Sequence, residues 1–180
     1  VFLSGACTKG LQSPGIRIGW IIASKRNIEI LANYSSFGMG GVSHPSQHYA
    51  IKLLDSSRVK KARKAVEEHY NWQRQRYGKA FKEMGLGVYT GNGGFYHWLE
   101  LPKGMTSDEL NNRLFKRGAA ILCAFDCDMG RPHSKDPKYK TPYDRFFRFS
   151  FGPLLPETFE ADIKLFREVY ESYKNEAGVE

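Results

Sequence analysis

The sequence predicts an α/β chain in two parts joined by a long helix. Three observations carry that reading. Apolar, β-branched runs such as "IRIGWIIAS" alternate with segments whose apolar residues recur every three or four positions. One such segment, from Arg58 to about Met84, runs well past ordinary helix length. After Gly85 and Gly87 the order becomes β-β-α-β-β-α, the pattern of a small α+β unit with helices against one sheet face.

The elements follow in order. "VFLSGA" reads as a short strand ending at Gly5, and Cys7 to Gly15 as a loop, from its Gly and Pro content. "IRIGWIIAS" is nearly continuous in apolar residues, which predicts a strand buried on both faces of a parallel sheet. Ser24 is placed to cap a helix over "KRNIEILANYSSF", and "GMGG" ends it. Ser43 and Pro45 open a second helix, "SHPSQHYAIKLL". In the long helix Val59, Ala62, Val66, Tyr70, Tyr77, Phe81 and Met84 share one stripe.

Beyond it, "GVYTGNGGFYHWLELP" reads as two strands around a "GNGG" turn. "TSDELNNRLFKRG" is a helix capped by Thr106 or Ser107 and stopped by Gly118. "AAILCAF" and "RFFRFSFG" read as strands, with a polar surface loop from Asp126 to Asp144 between them. A final helix puts Phe159, Ile163, Phe166 and Tyr170 on one face.

Composition narrows the function classes. With 180 residues, 41% hydrophobic and 26% charged, the chain can bury a real core. No apolar run approaches the roughly 20 residues that span a bilayer. Three cysteines make no disulfide framework, so a reducing, cytoplasmic compartment is expected. Cys123 and Cys127 read as buried thiols in a strand rather than as a metal pair. His44 and His48 lack a third ligand and read as helix-surface residues. Trp20, Trp72 and Trp98 read as core or interface packing.

A net charge of +8 favours anionic partners. Yet the basic run "RVKKARK" opens a helix that also carries Glu67, Glu68 and Glu83, and no nucleic-acid motif accompanies it. That is the pattern of a solvated face.

The candidate chemistry sits near the start, in "CTKGLQSPGIRIGW". A lysine just after a buried strand can serve as an amine nucleophile toward a carbonyl, and an arginine suits a phosphate. Lys9 and Arg17 supply those two groups, although spacing alone does not separate them from surface charge. The surrounding residues do more. "TKGLQSPGIRIGW" resembles the cofactor-lysine signature of the class I/II aminotransferases, the fold-type I enzymes that use pyridoxal 5'-phosphate (PLP). "SHPSQ", "GGFYHWLELP" and "FFRFSFG" resemble three further motifs of that family, in the family's order. Together they extend from Ser4 to Phe151.

The resemblance implies roles. Lys9 resembles the lysine that binds the cofactor covalently and later moves a proton at the substrate Cα. Arg17 resembles the arginine on the cofactor phosphate. Arg148 resembles the arginine on the substrate α-carboxylate, with Arg145 as its rival. The family often has a serine three residues before the lysine; here that residue is Ala6, and the phosphate contact falls to Thr8 or Ser4.

The resemblance also implies an architecture: the C-terminal part of a fold-type I large domain (1–57), a connecting helix (58–84) and a small α+β domain (85–180). The family's ring-stacking aromatic, and the Asp, Asn and Tyr on the cofactor ring, precede the lysine and are not among these residues. A C-terminal fragment, inactive alone and with an uncovered sheet edge, is therefore expected. Gly38 to Ser46 is expected near a homodimer interface, and the Asp126–Asp144 loop near the substrate entrance. The expected activity is amino transfer between an amino acid and a 2-oxo acid. A PLP-dependent lyase or synthase of the same fold, or a non-catalytic basic interaction module, is the alternative.

Overall fold

A computed structural model describes residues 1–130 and 139–179. The chain divides into two compact units, Val1–Glu68 and His69–Glu180, and the division falls inside the long helix. Among the described residues no helix is long and apolar enough to cross a membrane.

In the first unit β1 (Leu3–Ala6) pairs with β2 (Gly19–Ile22), and the pairing is antiparallel, with Leu3 opposite Ile22 and Ala6 opposite Gly19. This corrects the expectation of a parallel sheet. Parallel strands need a crossover of a dozen or more residues, usually a helix. The twelve residues between Ala6 and Gly19 hold only a 3₁₀ turn, Pro14–Ile16, and fold back as a loop. The expectation of a strand buried on both faces is also corrected. Every residue of β2 is exposed in this chain, with Trp20 at 38% and Ile22 at 60%. An apolar run states what a strand can bury, not what covers it.

Helix α1 (Lys25–Met39) begins after Ser24 and continues through Gly38 before Gly40 ends it at a φ of +72°. Helix α2 (His44–Leu53) starts as its residues foretell: the Ser43 hydroxyl accepts from the Ser46 amide, and Pro45 sits in the first turn. Its Ala50 and Leu53 are buried with Cys7, and Leu11, Ile16 and Ile18 pack on them. The loop between β1 and β2 is thus seated on α2.

Helix α3 (Ser56–Glu83) has 28 residues, about 42 Å of rise. Asp55 caps it, its carboxylate accepting from the Ser57 and Arg58 amides at 3.0 Å. The basic first half pairs with its own glutamates, Arg63 with Glu67 at 3.1 Å and Lys64 with Glu68 at 3.8 Å. These are exposed pairs of small worth.

The second unit is built on one antiparallel sheet of order β3-β4-β6-β5: β3 (Gly87–Tyr89), β4 (Tyr96–Glu100), β6 (Phe146–Ser150) and β5 (Leu122–Cys123). Helices α4 (Ser107–Phe115) and α5 (Phe159–Glu176), with the end of α3, cover one face. The expected "AAILCAF" strand is cut to two residues. Ala124–Cys127 turns into a 3₁₀ helix, which leaves Cys127 exposed and only Cys123 buried. Burial pushes the Cys123 thiol up to about 11, so it behaves as an inert core residue. Of the expected Asp126–Asp144 loop, residues 131–138 lie outside the described residues. Neither Trp20 nor Trp72 is core. Trp72 is half exposed and carries the Arg76 guanidinium 3.9 Å above its ring. Trp98 stacks on Phe146 across β4 and β6.

The core of this unit holds Tyr77 and Phe81 of α3, Leu99, Phe147, Leu110, Leu114, Phe166 and Tyr170, each at most 3% exposed. Tyr77 donates to an Asp162 carboxylate oxygen at 3.0 Å, and the same oxygen accepts from Thr158 at 2.8 Å. Burial, followed by the bond to Asp162, pushes the Tyr77 phenol well above its usual range. Because Asp162 keeps Thr158, Tyr77→Phe is expected to cost only about 1 kcal/mol in denaturant unfolding. A loss above about 3 kcal/mol would mean that the phenol holds more than this one contact.

One polar residue sits among these apolar groups. His97 shares its strand face with Leu99 and is 1% exposed. Its ring meets Phe81 and Phe151, and Nδ1 bonds the Thr90 hydroxyl. Burial lowers its pKa to about 4, aided by the charges of Arg74 and Lys82 and opposed by the Arg74 carbonyl. Between about pH 6.5 and pH 4 the unfolded chain takes up a proton that the folded chain refuses. The stability from a neutral His97 is therefore complete above about pH 6.5 and is lost as pH falls toward 4. It amounts to at most about 3 kcal/mol. Denaturant unfolding at pH 7.5 and 4.5 checks this: His97→Phe should remove most of the acid sensitivity, and an unchanged slope would assign it elsewhere.

Candidate active site

The β1–β2 hairpin, strands and loop together, holds four of the five predicted site residues. Ser4 lies on β1 opposite Ile21, and Thr8, Lys9 and Arg17 lie in the loop. The loop is closed by its own backbone. Cys7 donates to the Ile18 carbonyl at 3.1 Å, and the Cys7 carbonyl accepts from Ser13 at 2.9 Å. The Gln12 amide donates to the Lys9 carbonyl at 3.0 Å, so Lys9 begins a tight turn. The Ser13 hydroxyl donates to the Leu11 carbonyl at 2.9 Å. Buried Cys7 anchors the base against Ala50 and Leu53 of α2, while Lys9 and Arg17 are exposed and Thr8 is half-buried.

Two residues of the loop adopt left-handed backbone without being glycine, Gln12 at a φ of +49° and Arg17 at +54°. Such conformations cost energy and concentrate at ligand-holding segments. Arg17 caps the Pro14–Ile16 turn, and its Nη1 donates to the Pro14 carbonyl at 2.9 Å. That bond fixes one edge of the guanidinium. Among the described residues Arg17 has no carboxylate partner.

Arg148 belongs to the second unit. It lies on β6 between Trp98 and Leu122 of the neighbouring strands. Its guanidinium carbon stands 5.3 Å from the centre of the Tyr96 ring, a cation–π contact. Its Nε is buried and has no hydrogen-bond partner among the described residues. A buried donor of that kind is costly unless an acceptor arrives. Arg145 differs. It donates to the Leu101 carbonyl at 2.7 Å and pairs with Glu100, which also accepts from the Tyr89 phenol at 2.7 Å. Arg145 is thus engaged within the unit, whereas Arg148 keeps an unmet donor. Tyr96 was not singled out from the sequence. Strand parity could have found it, since Tyr96 and Trp98 share the face that carries Arg148.

No group of three or more His, Cys, Asp or Glu that could hold a metal occurs among the described residues. His44 and His48 meet edge to face, with ring centroids 4.5 Å apart, on the exposed side of α2.

Comparison with known proteins gives the family and the fold. The profile of the family described as aminotransferase class I and II matches residues 1–153. The 1-aminocyclopropane-1-carboxylate synthase 11 of Arabidopsis thaliana is 25% identical over 157 residues, 85% of this chain and 32% of that protein. The kynurenine aminotransferase of Pyrococcus horikoshii, solved with PMP, superposes with a TM-score of 0.82 at 21% identity. That match covers 96% of this chain and 41% of the other. The α-aminoadipate aminotransferase of Thermus thermophilus, complexed with N-(5'-phosphopyridoxyl)-L-leucine, gives 0.75 at 18% identity over 96% and 42%. This chain thus spans about a third to two fifths of these relatives. With the profile covering residues 1–153 of its 180, the chain belongs to the aminotransferase class I and II family.

Proposed function

We propose that the chain carries the cofactor lysine, the phosphate-binding arginine and the substrate-carboxylate arginine of a PLP-dependent aminotransferase. The observation that carries this is the β1–β2 loop, which holds Lys9 and a left-handed Arg17 on one backbone-closed turn anchored by Cys7. The donor set fits the group. A primary amine suits the cofactor's aldehyde, and a guanidinium with a hydroxyl suits its phosphate. Lys9 would bind the aldehyde carbon. Arg17, with Thr8 or Ser4, would hold the phosphate. Bound there, PLP would supply the electron sink for charge developing at the substrate Cα.

The chain's own residues would do the rest. Arg148, with its unmet Nε donor, would take the α-carboxylate in its fork and orient the substrate Cα–H. The Lys9 amine would then accept that proton and return it. The substrates would be an amino acid and a 2-oxo acid, and the working protein a homodimer.

The likeness to 1-aminocyclopropane-1-carboxylate synthase over 85% of this chain supports a second reading, a synthase or lyase that uses the same three residues. Borohydride reduction of the full-length protein after incubation with PLP, followed by peptide mapping, tests the shared part. A pyridoxyl group on Lys9 is expected; label spread over surface lysines would sink it. Product analysis then separates the readings. A 2-oxo acid with pyridoxamine phosphate means amino transfer; an eliminated or cyclised product means the synthase.

A further inference from the structure

A second candidate site lies wholly within the second unit. It is a groove of about 550 Å³ between the last turns of α3 and the end of β3. Residues 74, 78 and 82 step by four along α3 and share one face. The middle one is Gly78, which cuts a notch between two cations. A Cβ on Gly78 would come within 3.1 Å of His97 Cε1, so any larger residue there would press the imidazole back by a few tenths of an ångström. The ring lines the notch, and Thr90 holds its Nδ1. Its Nε2 is buried with no well-formed hydrogen bond among the described residues, although the Arg74 carbonyl is near.

The charges of the groove are not balanced from within. Arg74 bonds the Asn71 side chain, a neutral partner. Lys82 has no carboxylate partner among the described residues. Lys79 and Glu83 form an exposed pair at 3.9 Å, which is weak. Three cations thus face one carboxylate around a hollow that also offers the Thr90 hydroxyl. A dianion with several acceptor oxygens matches such a set: a fork from arginine, a point charge from lysine, a neutral donor from a hydroxyl or imidazole. The volume suits a small molecule.

We propose that this groove binds a small phosphate-bearing molecule, with Arg74 and Lys82 on either side of the Gly78 notch and His97 against its floor. The site is independent of the reading given to Lys9 and Arg17.

Calorimetric titration of inorganic pyrophosphate into the full-length protein tests it. The titration is run in the Arg17→Ala background, so that the β1–β2 loop does not contribute. Saturable binding is expected. Arg74→Ala and Lys82→Ala should each weaken it about tenfold, while Lys103→Ala, an exposed lysine elsewhere on the same unit, should leave it unchanged. His97→Phe should weaken it as well. Absence of saturable binding would overturn the proposal, and so would an equal loss in Lys103→Ala, which would indicate diffuse charge attraction. Binding of a DNA duplex that Lys82→Ala abolishes, without pyrophosphate binding, would make the groove a nucleic-acid surface and overturn it too.

Discussion

Lys9→Ala in the full-length protein is expected to lower turnover by about 10³-fold or more, because on the proposed reading it would remove both the cofactor's anchor and the group that moves the Cα proton. The loop itself should survive. Its closure runs through the backbone of Cys7, Ser13 and Ile18 and through the packing of Cys7 on α2, none of which uses the lysine side chain. Stability should therefore change by less than about 0.5 kcal/mol, as at an exposed position. Small primary amines added to the assay should restore part of the rate, since they return a base to the vacated space. A structural role for Lys9 would show the reverse pattern: lost stability, modest loss of rate and no rescue by amines.

The second large effect concerns stability. Phe81→Ala is expected to destabilise the second unit by about 3–5 kcal/mol. Phe81 is fully buried on α3, and its ring meets Phe149 at 4.8 Å, Phe166 at 5.2 Å and His97 at 5.9 Å. It therefore ties the long helix to β6, α5 and β4 at once. Truncation opens a cavity with walls on four elements, and such a site collapses poorly. Phe115→Ala, at a ring that is 73% exposed on the end of α4, should cost less than about 0.5 kcal/mol. Denaturant unfolding of the two variants gives the comparison. Equal losses would mean that Phe81 is not the keystone described.

Much of this arrangement could be read in advance where the signal is local. The stripe from Val59 to Met84 located α3, because helical periodicity over seven turns has few competitors. Ser43, Thr106 and Gly118 marked helix ends through chemistry confined to one turn, and both hydroxyl caps accept the expected amide. What escaped was non-local. The direction in which β1 meets β2 is not encoded in either strand's composition, so "IRIGWIIAS" suggested a parallel neighbour. The end of β5 at Cys123 depends on where the chain turns after Phe147 has been paired. His97 was passed over as one polar letter in an aromatic run, although its parity with Leu99 assigns it to the buried face. The site divides in the same way. Lys9, Arg17 and Arg148 could be singled out from the sequence because each lies inside a short motif. The engagement of Arg145 by Glu100, and the unmet donor on Arg148, depend on side chains brought together from distant strands.

The pairing at the centre of the sheet has a consequence for how the second unit forms. β4 and β6 meet across 46 residues at Glu100–Phe146 and across 54 at Tyr96–Ser150. β3 and β4, by contrast, are joined by a short turn. Ring closure over some fifty residues must precede most of the reward from the sheet, and contacts that distant in sequence slow folding. The β3–β4 hairpin with the end of α3 is the part that can assemble early, while β6 and α5 arrive together. Yet the entropy of the long connection rises only as the logarithm of its length, about 0.6 kcal/mol for each doubling. Lengthening the segment between α4 and β6 should therefore delay folding while leaving equilibrium stability almost untouched.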